Sequence, residues 1–537
     1  MEYRILGNTG VEVSTLCLGT MTFGGPADEK ESTKMFNLSR DAGINFFDCA
    51  NVYENGRSEE ILGKLIADSR EQLIITSKAY FPTSDDVNDR GGTRKHIMTA
   101  VNDSLKRYNE AKIISKNYPH DPRAQLLLAE SMYYNLDMNW IEQIHVYATS
   151  RSKWLEDNGL DKINMEFVDS KVVAGSLGNF STLEALISAN LLGIKSQKNI
   201  YLLLPKNFKP RNKTLFKYFM PYINVLEDNE ITSSLRKFKS LLTLPIGFCL
   251  PLLKKSVLLD WLHNLVHQER IKQNNHKPLL KLSNDDYEKG KSILKKAGLP
   301  NDAWYITIHV REPGYRGETK NNTTEKFRNS NPLNYIESIE AVTNAGGGVF
   351  RMGDSSMTKL PKMPNGIDYA HSSIKSDFMD IFLAATCKFC IGTSSGYWVI
   401  PRYFSVPVIL TNTPKTGEYF FLSKKDFFLP RLLFNEKTKK YIKFDEFMAP
   451  PISMGACDND YLKRGIQWKE NQSEELKKVT EEMLERVAKT NNLKEDSNIQ
   501  KKFKKVSENS IYKKTGFSLQ GFASIGKHFA ERYSDLI

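Results

Sequence analysis

The sequence predicts an α/β protein: a partial (β/α)8-barrel segment, a helical connector, then doubly wound parallel sheet. Three observations carry this. Residues 1–108 alternate short apolar runs with amphipathic stretches, and two of the runs end in a charged residue, Asp48 and Lys78. Residues 109–165 lose the strand signal and read as helices. Strand signals return near residue 166, and from 283 onward strand and helix patterns alternate regularly, with polar residues gathered behind the strands.

Each element follows from its local pattern. "VSTLCLGT" reads as a strand and "DEKESTKMFNLSRDAG" as a helix ending at Gly43. The run Ile44–Phe47 is a strand that delivers Asp48, with Tyr53 five residues later and a helix opening at Ser58. "LIITSK" is a buried strand ending in Lys78, and "TRKHIMTAVNDSLKRY" is an amphipathic helix with Thr93 as its N-cap. Three βα units with charged groups at strand C-termini make the start of a (β/α)8 barrel. In the connector, "NYPHDPRAQLLLAESMYY" resembles one tetratricopeptide helix, but one repeat cannot build a solenoid. "MEFVDSKVVAGSLGNFSTLEALISANLLG" reads as strand, glycine turn and helix, and "NIYLLLP" as a buried strand. Ser283 caps the helix "DDYEKGKSILKKAG". Strand "WYITIHV", helix "PLNYIESIEAVTNA", strands "VFRM" and "GIDYA", helix "SDFMDIFLAAT" and strand "KFCIG" follow. "TSSG" and a helix come next, and "VPVILTN" is expected as the last strand. In "NQSEELKKVTEEMLERVAK", Asn471 is the expected cap, with Glu474 at N3 and Leu476, Val479, Met483, Leu484 and Val487 on one apolar face.

Composition narrows the function classes. Hydrophobic content of 40% with 26% charged residues is that of a globular protein, and "MEYRILGNTG" lacks the apolar core of a signal peptide. Six scattered cysteines suit a reducing, cytoplasmic setting. Cys387 and Cys390 form a single C-x-x-C with no second pair, so no metal is expected. The apolar run Leu241–Leu253 is too short to span a bilayer and carries two prolines. The net charge of +12 permits phosphorylated ligands and peripheral contact with anionic membrane. Its lysines are dispersed and no nucleic-acid motif accompanies them, so nucleic acid is not an expected partner.

The polar groups of the second half fall where a doubly wound sheet binds ligands, at strand C-termini. His309 and Arg311 close one strand, Arg351 and Asp354 the next, and Thr393, Ser394, Ser395 and Gly396 lie between a strand and a helix. Hydroxyls at a helix N-terminus and an arginine fork suit a diphosphate. A surface ion pair at Arg311, a plain cap at Ser394 and an Arg351–Asp354 salt bridge are the bland alternatives.

Two resemblances add to this. "YRILGNTGVEVSTLCLGTMTFGG" and "FFDCANVYENGRSEEILGKLI" resemble the aldo-keto reductases. That implies Asp48, Tyr53 and Lys78 as catalytic residues, with tyrosine as proton donor. The resemblance ends at about Tyr108, before the family's catalytic histidine and cofactor-binding strands. The site is therefore expected to be vestigial, without carbonyl reduction or tight NADPH binding. "WYITIHVREPGYRGE", "GGGVFRMGDSSMTKLP", "IDYAHSSIKSDFMDIFLAA" and "IGTSSGYWVIPRYFSVPVILTN" resemble a bacterial glycosyltransferase family and, more distantly, the fucosyltransferases. That implies a GT-B pair of Rossmann-like domains and transfer from a nucleotide-sugar to an unknown acceptor, with no cofactor. Arg311 would hold the departing diphosphate, Ser394 and Ser395 the phosphates, and Asp354, Asp377 or Asp380 the base or ribose. "GSLGNF" departs from that family at Asn179, where histidine is expected. The implied layout is 1–108 reductase-like, 109–165 connector, 166–282 acceptor half, 283–450 donor half and 451–537 helical tail. Glycosyl transfer is thus the expected function, with an NADPH-dependent reductase or a non-catalytic nucleotide-binding scaffold as alternatives.

Overall fold

The structure, a computed structural model, describes every residue except 8, 68, 85–88, 108–117, 135–139, 163, 170–172, 174–176, 195–197, 205–207, 228–242, 245–249, 253–254, 258, 276, 301–302, 315–325, 363–364, 415, 450–451, 453–460, 463, 490–496 and 509–519. The chain divides into two compact units, Met1–Asp161 and Lys162–Ile537.

The first unit opens with an antiparallel hairpin of β1 (Tyr3–Ile5) and β2 (Glu12–Ser14). Strands β3 (Leu18–Gly19), β4 (Phe46–Asp48) and β5 (Ile74–Thr76) then form a parallel sheet in that order. Helix α1 (Glu29–Asp41) starts where Asp28 accepts from the Glu31 N–H at 2.8 Å, and α2 (Arg57–Leu65) links β4 to β5. Their apolar faces cover the sheet: Phe36, Phe47, Cys49, Leu62, Ile66 and Leu73 make one buried cluster. Helix α3 (Arg94–Arg107) begins as expected, with the His96 N–H donating to Thr93 Oγ1 at 3.2 Å. Helices α4 (Pro122–Tyr134) and α5 (Trp140–Asp157) pack against each other. Three parallel βα units are thus present, as expected, but β5 stops at Thr76, two residues short of Lys78, and "VSTLCLGT" is divided between β2 and β3.

In the second unit, β6 (Met165–Asp169), β7 (Asn199–Leu204), β8 (Asn224–Glu227) and β9 (Thr243–Leu244) form a parallel sheet in the order β8-β7-β6-β9. Helices α6 (Phe180–Leu191) and α7 (Lys213–Phe219) connect its strands, and a hairpin of β10 (Leu250–Leu252) and β11 (Lys255–Val257) precedes α8 (Leu259–Lys272). Ser283 caps α9 (Asn284–Lys296), its Oγ accepting from the Asp286 N–H at 3.2 Å. A larger sheet follows: β12 (Tyr305–His309), β13 (Gly348–Arg351), β14 (Gly366–Ile367), β15 (Cys390–Gly392), β16 (Val408–Thr413), β17 (Phe427–Pro430) and β21 (Ser524–Ile525). Between them run α10 (Ile336–Asn344), α11 (Asp377–Thr386) and α12 (Val399–Tyr403). All seven strands are parallel, in the order β14-β13-β12-β15-β16-β17-β21. The winding reverses between β12 and β15, the switch point at which such sheets open a crevice.

Several expectations are corrected. "VPVILTN" is not the last strand: β17 and β21 extend the sheet beyond it. The former is apolar throughout, so it shows no alternation, and the latter is two residues long. Residues 451–537 are not purely helical, because β21 and β20 (Ile466–Lys469) lie there; β20 pairs antiparallel with β18 (Leu432–Asn435), whose other neighbour is β19 (Lys440–Tyr441). The strand expected at "GIDYA" stops at Ile367 and passes into a tight turn. Helix α13 (Ser473–Ala488) is capped by Gln472 and Glu475, not by Asn471 and Glu474. Asn471 is buried instead, exchanging backbone-to-amide hydrogen bonds of 2.8 and 2.7 Å with Asn412. The run Leu241–Leu253 falls largely outside the described residues, and among these no helix is long and apolar enough to cross a membrane.

Candidate active site

The parallel ladder of the first unit sets its polar groups side by side. Asp48 closes β4 directly opposite Thr76 of β5, and Lys78 follows two residues further on. Backbone hydrogen bonds hold the two strand ends together beyond the sheet: the Cys49 N–H donates to Thr76 O at 2.8 Å and the Asn51 N–H to Lys78 O at 3.1 Å. Lys78 Nζ donates to Asp48 Oδ2 at 2.5 Å, and Thr76 Oγ1 donates to Asp48 Oδ1 at 2.9 Å. Tyr53 starts a turn whose next three residues, Glu54, Asn55 and Gly56, all have left-handed φ of 49°, 55° and 88°. Two non-glycine residues in that region mark a constrained backbone, the kind that clusters at functional sites. The turn carries the Tyr53 ring to 4.9 Å from Lys78 Nζ.

The electrostatics follow from this packing. Partial burial works against the Lys78 charge, but the Asp48 carboxylate and the Tyr53 hydroxyl more than offset it, so the ammonium is held above the usual lysine range. Partial desolvation, with the Asp48 charge nearby, pushes the exposed Cys17 thiol up. The structure therefore brings together all three reductase-type residues that the sequence predicts. Sequence reasoning missed Thr76, Ser77, Asn51 and Glu59. The run T-S-K at the end of β5 was the available signal for the first two.

In the second unit, some predicted residues converge and others have separate tasks. His309 ends β12 opposite Gly392 of β15, across the switch point. Its Nδ1 is 3.0 Å from Ser395 Oγ, its ring stacks on Tyr397, and burial with the nearby Arg351 charge brings it down to about 4. The Arg311 N–H donates to Thr393 Oγ1 at 2.9 Å, while its guanidinium donates to Asn329. Ser394 Oγ donates to Glu418 at 2.7 Å. A Cβ on Gly396 would lie 2.7 Å from the Gly178 nitrogen, so the loop before Asn179 closes on the hydroxyl loop.

The remaining predicted residues are engaged by partners within the fold. Arg351 is fully buried, donates to Glu312 and to Asp368 at 3.1 Å, and forms no pair with Asp354. Asp354 accepts from the Ser356 N–H and hydroxyl in its own turn. Asp377 accepts from the Lys213 N–H at 3.1 Å, joining α11 to α7. Asp380 accepts from the Tyr369 hydroxyl at 2.8 Å and from Lys375 at 3.2 Å. These contacts hold the fold together, and the sequence could not show them because each partner is set by tertiary packing. Cys387 and Cys390 are buried thiols, and burial pushes Cys387 up to about 12.

Residues 15–132 match the aldo/keto reductase family. The match does not stop at Tyr108 but continues over most of α4. Over 147 residues the chain is 39% identical to the "Probable voltage-gated potassium channel subunit beta" of Arabidopsis thaliana, covering 26% of this chain and 44% of that protein. Over 118 residues it is 43% identical to an uncharacterized oxidoreductase of Bacillus subtilis, covering 20% of this chain and 36% of that protein. A solved aldo-keto reductase from Bacillus halodurans aligns at 15% identity with a TM-score of 0.19, over 46% of this chain and 92% of that one, a score that supports no structural inference. The chain spans less than half the length of the curated relatives it matches.

These matches overturn glycosyl transfer as the expected function: residues 15–132 match a family of reductases, and one relative is named an oxidoreductase. The expectation of no cofactor falls with it, since aldo/keto reductases use NADP(H). The physical reason is that an open parallel sheet with polar strand ends hosts many unrelated functions, so its pattern says little about chemistry. The family match over residues 15–132, which spans Asp48, Tyr53 and Lys78, is the more specific signal.

Proposed function

We propose that this chain is an NADP(H)-dependent carbonyl reductase of the aldo/keto type, with its chemistry in Met1–Asp161. The observation that carries this is the convergence of Asp48, Lys78 and Tyr53 at the C-terminal ends of β4 and β5. When bound, the nicotinamide supplies a hydride to the carbonyl carbon. Tyr53 gives its hydroxyl proton to the carbonyl oxygen. Lys78, beside the phenol, stabilises the phenolate left behind, and Asp48 keeps Lys78 in place. The donor set fits the carbonyl that a reduced nicotinamide would attack, with a hydroxyl to donate to its oxygen and a cation beside that hydroxyl. Asn51 supports the fit. Its side chain is buried, its amide oxygen and nitrogen have no partner among the described residues, and its backbone is bonded to Lys78. A buried amide with no partner among the described residues can take its hydrogen bonds from water or from a bound ligand.

The test is NADPH oxidation with small aldehydes and ketones. Turnover that Tyr53→Phe abolishes, with folding unchanged, is the expected result. Lack of turnover across a broad carbonyl panel, or full activity in Tyr53→Phe, refutes the reading.

A second reading concerns Lys162–Ile537 alone and involves binding, with no transfer step. His309, Arg311, Thr393 and Ser395 gather at the switch point between β12 and β15, and this supports a small phosphate-bearing ligand there. Pyrophosphate should raise the melting temperature of the wild type and not of Arg311→Ala. No shift in the wild type refutes it.

A further inference from the structure

The proton-donating triad depends on where Lys78 points, yet Lys78 lies outside the sheet. Strand β5 ends at Thr76, and residues 77–80 belong to no ladder. The backbone bond from Asn51 to Lys78 O fixes one side of this segment. The other side is fixed by an ionisable group that the reduction itself does not use. Glu59, in the first turn of α2, is fully buried. Its Oε1 accepts from Ser77 Oγ at 2.5 Å and its Oε2 from Ser104 Oγ of α3 at 3.1 Å. A carboxylate is costly to bury where an apolar side chain would pack without penalty, so its presence marks a position at which geometry is being fixed. The first turn of a helix is where backbone N–H groups best tolerate a negative charge.

The two serines make Glu59 a joint between three elements. Side chains alternate along an extended segment, so Thr76 and Ser77 face opposite ways. Thr76 reaches Asp48, and Ser77 reaches Glu59 behind the sheet. The residue before Lys78 is thereby pinned to α2, and the residue before that to the partner of Lys78 itself. Removing the Ser77 hydroxyl frees the segment to rotate without removing any group of the triad.

We propose that Glu59, acting through Ser77, is a positioning residue that holds Lys78 against Asp48 and Tyr53. This rests on the reductase reading, and the test separates the two. In the full-length protein, Ser77→Ala should lower kcat for NADPH-dependent aldehyde reduction by about tenfold or more, because misplacement of a catalytic group by a fraction of an ångström is enough for that. KM values for NADPH and aldehyde should stay within about twofold and the melting temperature within a few degrees, since one hydroxyl is lost and no sizeable cavity forms. Ser77→Thr, which keeps the hydroxyl, should restore kcat, and Glu59→Gln, which keeps an acceptor oxygen, should be milder than Glu59→Ala. The second readout needs no activity. In 15N-lysine NMR at mildly acidic pH, an ammonium bonded to Asp48 exchanges slowly enough to be seen. A signal missing from Lys78→Arg identifies Lys78. It should be present in wild type, lost or broadened in Ser77→Ala, and present in Ser77→Thr. If the wild type reduces no carbonyl, the reductase reading fails while the NMR comparison still decides the positioning. A Lys78 signal unchanged by Ser77→Ala, or a kcat unchanged while only the melting temperature falls, overturns the proposal.

Discussion

Replacing Lys78 with methionine separates the structural weight of the triad from its chemical weight. The Lys78–Asp48 pair is short, at 2.5 Å, but the two side chains remain 49% and 38% exposed. Pairs this open to water contribute about 0–1 kcal/mol, because solvent screens the charges and the lysine gives up rotamer freedom to form the bond. Lys78→Met keeps most of the apolar stem, so the loss should fall at or below that range. For a unit the size of Met1–Asp161 this amounts to a melting shift of roughly 2–4 °C at most. The chemical loss is of another order. Without a cation beside it, the Tyr53 phenolate forms unassisted, and positioned proton transfer contributes on the order of 100- to 10,000-fold in rate. The assay is the steady-state rate of NADPH oxidation beside a thermal melt of the same preparation. Because the Lys78 value is raised on folding, the pair's contribution is fully present below the ordinary lysine value of 10.5 and disappears as pH climbs through the higher folded value. Wild-type stability should therefore show no contribution from this group's titration at neutral pH. A kcat within about threefold of wild type in Lys78→Met would refute the reasoning, because Lys78 would then be no more than a surface ion pair.

Other perturbations test the second unit. Arg351→Met leaves the Glu312 and Asp368 carboxylates without their shared cation, and denaturant unfolding should show a loss of roughly 3–5 kcal/mol; near-neutral stability would mean that water already satisfies them. Leu476 and Met483 are buried on α13, so the double change to aspartate should cost more than about 4 kcal/mol and yield insoluble protein; normal solubility and melting would show that the face is open. Burial depresses His309 to about 4 and His267, which lies on α8 with its Nε2 2.9 Å from Phe421 O, to about 3, so the unfolded chain binds protons that the folded one refuses. Stability should then fall as pH drops from about 6.5 towards 4, by up to roughly 1.4 kcal/mol per pH step for each histidine. Each single change, His309→Gln or His267→Gln, should flatten the slope in part and the double change further; an unchanged slope in the double variant would exclude both residues.

The sequence by itself determined the local facts: three βα units in the first unit, the caps at Thr93 and Ser283, and the placing of Asp48 at a strand end with Tyr53 and Lys78 just beyond strands. These are legible because strand periodicity, capping chemistry and the position of a residue after a strand depend on neighbours a few places away. The cap of α13 shows how fine that reading is, since the tertiary pairing of Asn471 with Asn412 moves it by one residue. Only the tertiary structure decided what the polar groups do. Arg351 reads as a ligand-binding arginine from its place behind a strand, and becomes a buried cation once Glu312 and Asp368 fold against it. Glu59 reads as one more acidic residue of an amphipathic helix, and becomes a joint once Ser77 and Ser104, 18 and 45 residues away, close on it. The order of the seven-stranded sheet, with its edge strand β21 drawn from near the end of the chain, is equally invisible in the sequence. The reason is the same in each case. A hydrogen bond or ion pair between distant residues leaves no periodicity behind, and its partner is chosen by packing.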